Sequence, residues 1–193
     1  MAGKKTFLPD QALEKAMNLF WERGYEGSSI EDIVQTTGLG RGSLYDTFGG
    51  KHSLYVAALK RYMTKFSAGT ASYEQPEASF KETLEGYFQY WIDGLLSDPA
   101  RRGCFLVNAS IEMAPRDEEI NHLTRSALQA LEEEFYRLLI KAQVRGELAW
   151  TFDPHQGAHF LLGILISIRV LARAKQDRQV LQDVVKTALA AFH

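Results

Sequence analysis

Cysteine is almost missing from this chain. Of 193 residues only Cys104 is a cysteine, so no intrachain disulfide can form, and the small secreted scaffolds that rely on such crosslinks are excluded. A reducing cytoplasm is the compartment this implies. The N-terminal MAGKKTF has no apolar stretch of signal-peptide length. The most apolar run, Phe160 to Leu171, is interrupted by Arg169; it is expected to be a buried helix, too short to span a bilayer. Prolines number five, with no low-complexity tract and no internal repeat, which argues against long disordered segments. Enzyme signatures are missing as well: there is no G-x-S-x-G, no glycine-rich phosphate loop, no zinc-protease helix motif and no pair of catalytic acids. No covalent chemistry and no cofactor are therefore expected. His155 and His159 stand four apart, a spacing that suits a metal, but no cysteine or acidic cluster accompanies them in sequence, so no metal site is expected.

What is present is an ordinary globular composition, 46% hydrophobic and 24% charged with a formal charge of −2, in a chain long enough for a substantial core over one to two domains. The charge is unevenly placed. Asp10, Glu14, Glu22, Glu26, Glu31 and Asp32 face only Lys15 and Arg23, whereas Ile33 to Ser72 carries Arg41, Lys51, Lys60, Arg61 and Lys65 against Asp46 alone. A local positive surface of this kind is what phosphate binding needs, whatever the global sum.

The chain is organised around Ser28 to Leu54, SSIEDIVQTTGLGRGSLYDTFGGKHSL. Ile30, Ile33 and Val34 recur at helical spacing, and Ser29 with Asp32 three residues on gives an N-cap followed by an acid in the first turn. Gly38 should end that helix, since glycine readily takes the left-handed backbone of a helix terminus. Leu39 follows as an apolar plug. A second short helix fits Arg41 to Phe48 and stops at Gly49-Gly50. Two short helices joined by a tight glycine turn make a helix-turn-helix, whose second helix can enter a DNA major groove.

The residues then carry a more specific likeness. The run TTGLGRGSLYDTFGGKHSL resembles the DNA-binding signature of TetR-family transcriptional regulators, with Gly38, Gly42, Leu44, Tyr45, Phe48, Lys51 and Leu54 matching. Upstream, Ala12, Ala16, Phe20, Gly24, Tyr25, Ser28, Ser29, Ile30 and Ile33 match the rest of that domain. The likeness covers roughly residues 7 to 60 by motif; beyond residue 66 it is one of length and architecture. Three departures stand out: Gly40 occupies a position that often holds a capping serine or threonine, Asp46 and Thr47 replace aromatic or histidine residues, and Gly49-Gly50 is looser than usual.

The rest of the chain is helical by periodicity. Pro9 and Asp10 start a first helix with a core stripe of Ala12, Leu13, Ala16, Met17, Leu19 and Phe20. A linking helix extends from residue 51 to 66, and the small polar residues Ser67 to Pro76 form the best boundary. Further helices are expected over about Glu77–Leu96, Gly103–Ala114, Asp117–Val144, Pro154–Lys175 and Arg178–Phe192. No strand is expected. The fold class is all-α: an N-terminal helix-turn-helix domain over 1–50, extended by the linking helix, followed by a larger helical domain over 67–193.

In the head, the side chains expected at DNA are Ser28, Ser29, Arg41, Ser43, Tyr45, Asp46, Thr47 and Lys51, with Gly40 and Gly42 allowing close backbone approach. Arg41 can pair bidentately with guanine or with a phosphate, Asp46 can accept from a cytosine amine, and Lys51 adds an ammonium and a helix N-terminus to an anion site. Tyr45 resembles the family tyrosine that contacts phosphate. Leu44 and Phe48 read as core. Met1 to Thr6, with Lys4 and Lys5, is a tail that can reach phosphates. One head makes too few contacts for tight specific binding, so a homodimer on a pseudo-palindromic operator is expected. The family likeness implies pairing of the two C-terminal helices into a four-helix bundle, with Gly157, Gly163 and Ser167 permitting close approach.

The body is rich in aromatics, and a helical body with apolar lining and a few polar groups is the usual form of a small-molecule site. Tyr87, Trp91, Cys104, Phe105, Asn108, Glu112, Phe135 and Phe160 are the candidate lining residues. Cys104, preceded by Arg101 and Arg102, reads either as a buried inert thiol or as a sensor. The function these readings imply is a ligand-responsive, DNA-binding transcriptional regulator, a repressor by the family likeness, without enzymatic activity or membrane association and released from its operator by a small molecule. The alternatives are a nucleoid or division factor of the same fold that uses its body for protein partners, and a helical enzyme.

Overall fold

A computed structural model of the chain describes residues 9–71 and 78–192, with side chains throughout except at 66–71. The Lys4–Lys5 tail and part of the expected boundary at Ser67–Pro76 lie outside the described residues. Nine α-helices and no strand occur among those described: α1 (Pro9–Arg23), α2 (Ile30–Thr37), α3 (Arg41–Phe48), α4 (Lys51–Ala71), α5 (Phe80–Leu96), α6 (Phe105–Glu112), α7 (Glu118–Val144), α8 (Pro154–Ala174) and α9 (Arg178–Leu189).

The helix starts obey local chemistry. Ser29 and Ser79 each close a capping box, with Asp32 and Glu82 returning to the cap backbone. Asp117, Asp153 and Asp177 cap α7, α8 and α9 with their carboxylates. The box at Ser79 is why α5 begins at Phe80 and not near Glu77. The linking helix runs on to Ala71, past its expected end at Phe66. The last helix ends at Leu189, short of Phe192.

Two apolar cores form, and the seam between them does not follow chain order. One gathers α1 to α4 and also takes in Cys104, Phe105, Leu106, Val107, Ala109 and Met113 from the α6 region, with Ile120 of α7. The other is built from α5, α7, α8 and α9. Phe105 is fully buried and meets the α4 rings edge-on, Tyr55 at 5.4 Å and Tyr62 at 5.6 Å. Burying a ring of that size contributes about 1.5–3 kcal/mol, so Phe105 anchors α6 to the head.

By length and apolarity α8 meets the requirement for a bilayer span, since its 21 residues have a mean hydropathy of 1.5 over the best window. The run Phe160–Leu171 expected to be too short is only part of this helix, which continues well to either side. Its inward face, Ala158, Leu161, Leu165, Ile168 and Ala172, is buried in the second core as expected. Phe160 and Val170 face outward.

Candidate nucleic-acid interface

The helix-turn-helix is built by α2, a three-residue turn and α3. Gly38 ends α2 at φ 77°, with its N–H bonded to the Val34 carbonyl. Leu39 then drops into the core, 4% exposed, and its N–H is taken by the Thr37 hydroxyl at 3.2 Å. Gly40 caps α3 without a side-chain bond, so this cap is the weak one of the pair. Leu44 is fully buried and anchors α3. The remainder of the helix surface, Arg41, Gly42, Ser43, Tyr45, Asp46 and Thr47, faces outward. A Cβ placed at Gly42 would touch nothing within 4 Å; the position is open for close approach of another molecule.

The glycine pair after α3 has a physical reason. Gly50 sits at φ 119°, and a Cβ there would lie 3.2 Å from Tyr45 Cε1. The tyrosine ring thus lies against a backbone that only glycine leaves clear, and is half exposed. Lys51 opens α4 with its Nζ 4.1 Å over the Tyr25 ring, a cation–π contact that aims the side chain. Arg41 reaches back to Glu31 at 3.5 Å, both side chains well exposed.

Two expectations about this surface are corrected. Ser28 is fully buried and donates its hydroxyl to the Gly24 carbonyl at 2.7 Å, so it holds the turn and cannot reach a phosphate. Ser29 stays exposed, but its hydroxyl is committed to Asp32. The basic surface is also narrower than the sequence count implied. Arg61 binds Asp10 and Glu14, Lys65 binds Glu14, and Lys60 faces Glu119 at 3.8 Å. Burial would raise the Glu14 carboxyl, but hydrogen bonds from Lys65 and Arg61 prevail and hold its pKa below the ordinary value. These cations fasten α4 to α1 and, through Lys60, to α7, which among the described residues leaves Arg41 and Lys51 as the cations beside α3.

The body candidates do not share one pocket. Tyr87, Trp91 and Phe135 come together in the second core, with Tyr87 5.4 Å from Phe135 and 6.4 Å from Trp91. Cys104 and Phe105 are buried in the other core, beneath the head. Asn108 donates to the Arg102 carbonyl at 3.0 Å and accepts from Arg173 at 2.8 Å. Glu112 is drawn off to the head, where it accepts the backbone N–H groups of Tyr25 and Glu26. Phe160 is 42% exposed on the outer face of α8. Gly157 also turns inward, where a Cβ would come within 2.7 Å of the Phe152 ring and 2.8 Å of Leu139; Gly163 and Ser167 remain on the outer face. His159 pairs with Glu132 at 3.1 Å and His155 stacks on Tyr136 at 4.3 Å. In the sequence Arg169 stands only as an interruption of an apolar run. It is 3% exposed, with its guanidinium 4.1 Å over the Trp91 ring, and a lone cation inside such a run was the available signal.

A second helix exposed on a buried leucine anchor, set on a larger helical body, is the build of a helix-turn-helix transcriptional regulator. Residues 12–58 match the family described as bacterial regulatory proteins, tetR family, and residues 81–188 match the tetracyclin repressor-like C-terminal domain. The chain belongs to the TetR family. It is similar to the uncharacterized HTH-type transcriptional regulator YezE of Bacillus subtilis, at 31% identity over the full length of both chains. It is also similar to the HTH-type transcriptional repressor ComR of Escherichia coli, 32% identical over 96% of this chain and 89% of that one. Among solved structures it resembles a cysteine-substituted form of the TetR-family regulator CifR in complex with 26-base-pair operator DNA, with a TM-score of 0.89, 26% identity and full coverage of both chains.

Proposed function

We propose that the chain is a transcriptional repressor that binds a pseudo-palindromic operator as a homodimer in the cytoplasm and is released by a small molecule held in its body. One observation carries the reading: α3 presents Arg41, Ser43, Tyr45, Asp46 and Thr47 outward from a single buried anchor, Leu44. In this arrangement Arg41 leaves Glu31 for a base edge or a phosphate, while Ser43 and Thr47 offer hydroxyls and Asp46 selects a cytosine amine. Tyr45 and Lys51, with the α4 N-terminus, hold phosphates on either side. The protein acts by binding and performs no chemistry of its own.

The dimer reading draws on α8. Gln156, Phe160, Gly163, Ser167, Val170 and Ala174 are all exposed, and their alternating spacing of four and three residues makes a seam along which a second helix can pack. A Cβ at Gly163 meets nothing within 4 Å, so a partner helix can come close. The names of the relatives, repressors among them, favour an operator-specific regulator over a nucleoid or division factor. Selection of bound duplexes from a random pool, followed by footprinting, tests the proposal. Protection of one short near-palindrome by two chains is the expected result; broad coverage of unrelated sequences would overturn it in favour of the nucleoid reading.

A further inference from the structure

We propose that Arg169 is the anchor for the carboxylate of a small apolar acid bound between α5 and α8. The inference rests on the reading of the body as an effector domain and gives that effector a charge and a chemical class.

Arg169 lies in the inner face of α8 among Leu165, Ile168 and Ala172, and is 3% exposed. Its Nε is sealed from solvent without a hydrogen-bond partner. Elsewhere in the molecule arginines hold acids: Arg61 has Asp10 and Glu14, Arg102 has Asp98, and Arg178 has Asp93. Among the described residues no carboxylate forms an ion pair with Arg169. A guanidinium cannot escape by losing its proton, and a buried charge without a counter-charge is unfavourable. The Glu134 carboxylate of α7 also bears on Tyr87; the other groups named beside Arg169 are neutral. The Trp91 ring lies 4.1 Å away, and the phenols of Tyr62 and Tyr87 are both close enough to feel its charge. Burial pushes both phenols up and Arg169 opposes that rise without overcoming it, so neither supplies an anion at neutral pH.

The missing counter-charge is therefore one that a ligand can bring. A carboxylate matches the guanidinium fork with two parallel hydrogen bonds. The surroundings define the remainder of the molecule: Tyr87, Phe88, Trp91 and Phe135 are buried rings of the same core, which suits an aromatic or aliphatic body. A single buried cation fits a monoacid and not a polyanion. The position also joins the two cores. Trp91 and Tyr87 belong to the body core, whereas Tyr62 belongs to the head core. Gly103, which leads into α6 at φ 68°, would place a Cβ 3.5 Å from the Arg169 carbonyl oxygen. An acid seated here touches the seam between body and head.

The test uses the full-length protein with two matched pairs of probes, benzoate against benzamide and hexanoate against hexanamide. Binding is followed by calorimetry, and operator affinity is measured in the same samples. Each acid is expected to bind at least about tenfold more tightly than its amide. Arg169→Met should erase that preference, and Arg169→Lys should restore part of it. Equal affinity for acid and amide, no binding of either acid, or a preference retained in Arg169→Met would overturn the assignment. If the methionine variant does not fold, Arg169→Lys decides in its place: a lowered acid-to-amide ratio supports the anchor and an unchanged ratio overturns it. An acid that binds through Arg169 but leaves operator affinity unchanged upholds the anchor and defeats the effector reading of the body; an acid that also releases the operator upholds both.

Discussion

The carboxylate of Glu112, at the end of α6, accepts the backbone N–H of Tyr25, in the turn after α1, at 3.1 Å; its second oxygen takes the N–H of Glu26 at 2.9 Å. Gly24 precedes them at φ 78°, and a Cβ there would fall 2.6 Å from Glu112 Oε2. The body therefore grips the head at a turn shaped to receive it. Glu112→Gln leaves one amide nitrogen facing an N–H donor, and an unsatisfied donor costs about 1–3 kcal/mol. Urea denaturation should show a loss of that order, and hydrogen exchange should quicken first at Tyr25 and Glu26. Unchanged protection of those two amides would mean that the pair contributes nothing to the junction.

Glu31 competes with DNA for Arg41. Their 3.5 Å contact is well exposed, so it stabilises the free protein little, yet Glu31 repels the phosphates that Arg41 attracts. Glu31→Gln is expected to tighten binding to any duplex, by about two- to fivefold at low salt. Arg41→Ala should weaken operator binding by about 1–3 kcal/mol and relax sequence preference. Fluorescence anisotropy over a salt series checks both. Looser binding by Glu31→Gln would show that the carboxylate orients Arg41 for the base and does not oppose it.

Much of the interface was legible in the sequence because glycine and caps act locally. Gly38, the Ser29–Asp32 box and the buried Leu44 are dictated by residues within one or two turns of one another. The errors concern partners distant in sequence. Ser28 looks like an available hydroxyl until the turn at Gly24 closes on it. Lys60, Arg61 and Lys65 look like a basic stripe until α1 and α7 bring Asp10, Glu14 and Glu119 alongside. Glu112 stands four residues from Asn108, as a pair of pocket groups would, but α6 packs on the head and carries the carboxylate there. Periodicity reveals that a face is apolar; it does not reveal which of two cores the face enters.

Asp98 makes the acid side of the stability curve testable. It accepts from the backbone N–H and the guanidinium of Arg102, whose plane stacks on Trp21 at 4.0 Å and which also reaches Asn18. Burial raises the Asp98 carboxyl, but the Arg102 hydrogen bonds outweigh it and lower the pKa from its ordinary 3.8. A carboxyl depressed in the folded state contributes its stability in full above its unfolded value and loses it as pH falls through the folded one. Stability should therefore decline below about pH 4. Asp98→Asn should lower stability at pH 7 by about 1.5–3 kcal/mol and flatten that decline, as read by thermal unfolding across pH. A decline of unchanged steepness would assign the acid sensitivity to the other depressed carboxyls, Glu14, Asp32, Glu82 and Asp117, instead.

The outer stripe of α8 offers the sharpest separation of assembly from folding. Phe160, Gly163, Ser167 and Val170 are exposed, and none of them belongs to the buried set that holds α8 in the body. Gly163→Glu places a charge where a Cβ has open space around it, so the isolated subunit should accept it at a cost within about 1 kcal/mol. Across a helix pair related by two-fold symmetry, the same substitution sets two like charges against each other in an apolar seam, and the dimer should fail. Sedimentation or light scattering should then report a folded single chain, and operator affinity should fall by at least about a hundredfold as the two heads lose their link. A control at Gly157 behaves in the opposite way: Gly157→Ala drives a methyl into Phe152 and Leu139 of its own chain and should destabilise the subunit before it touches association. If Gly163→Glu remained dimeric with full operator affinity, the two-fold seam would have to be sought on another face of the body.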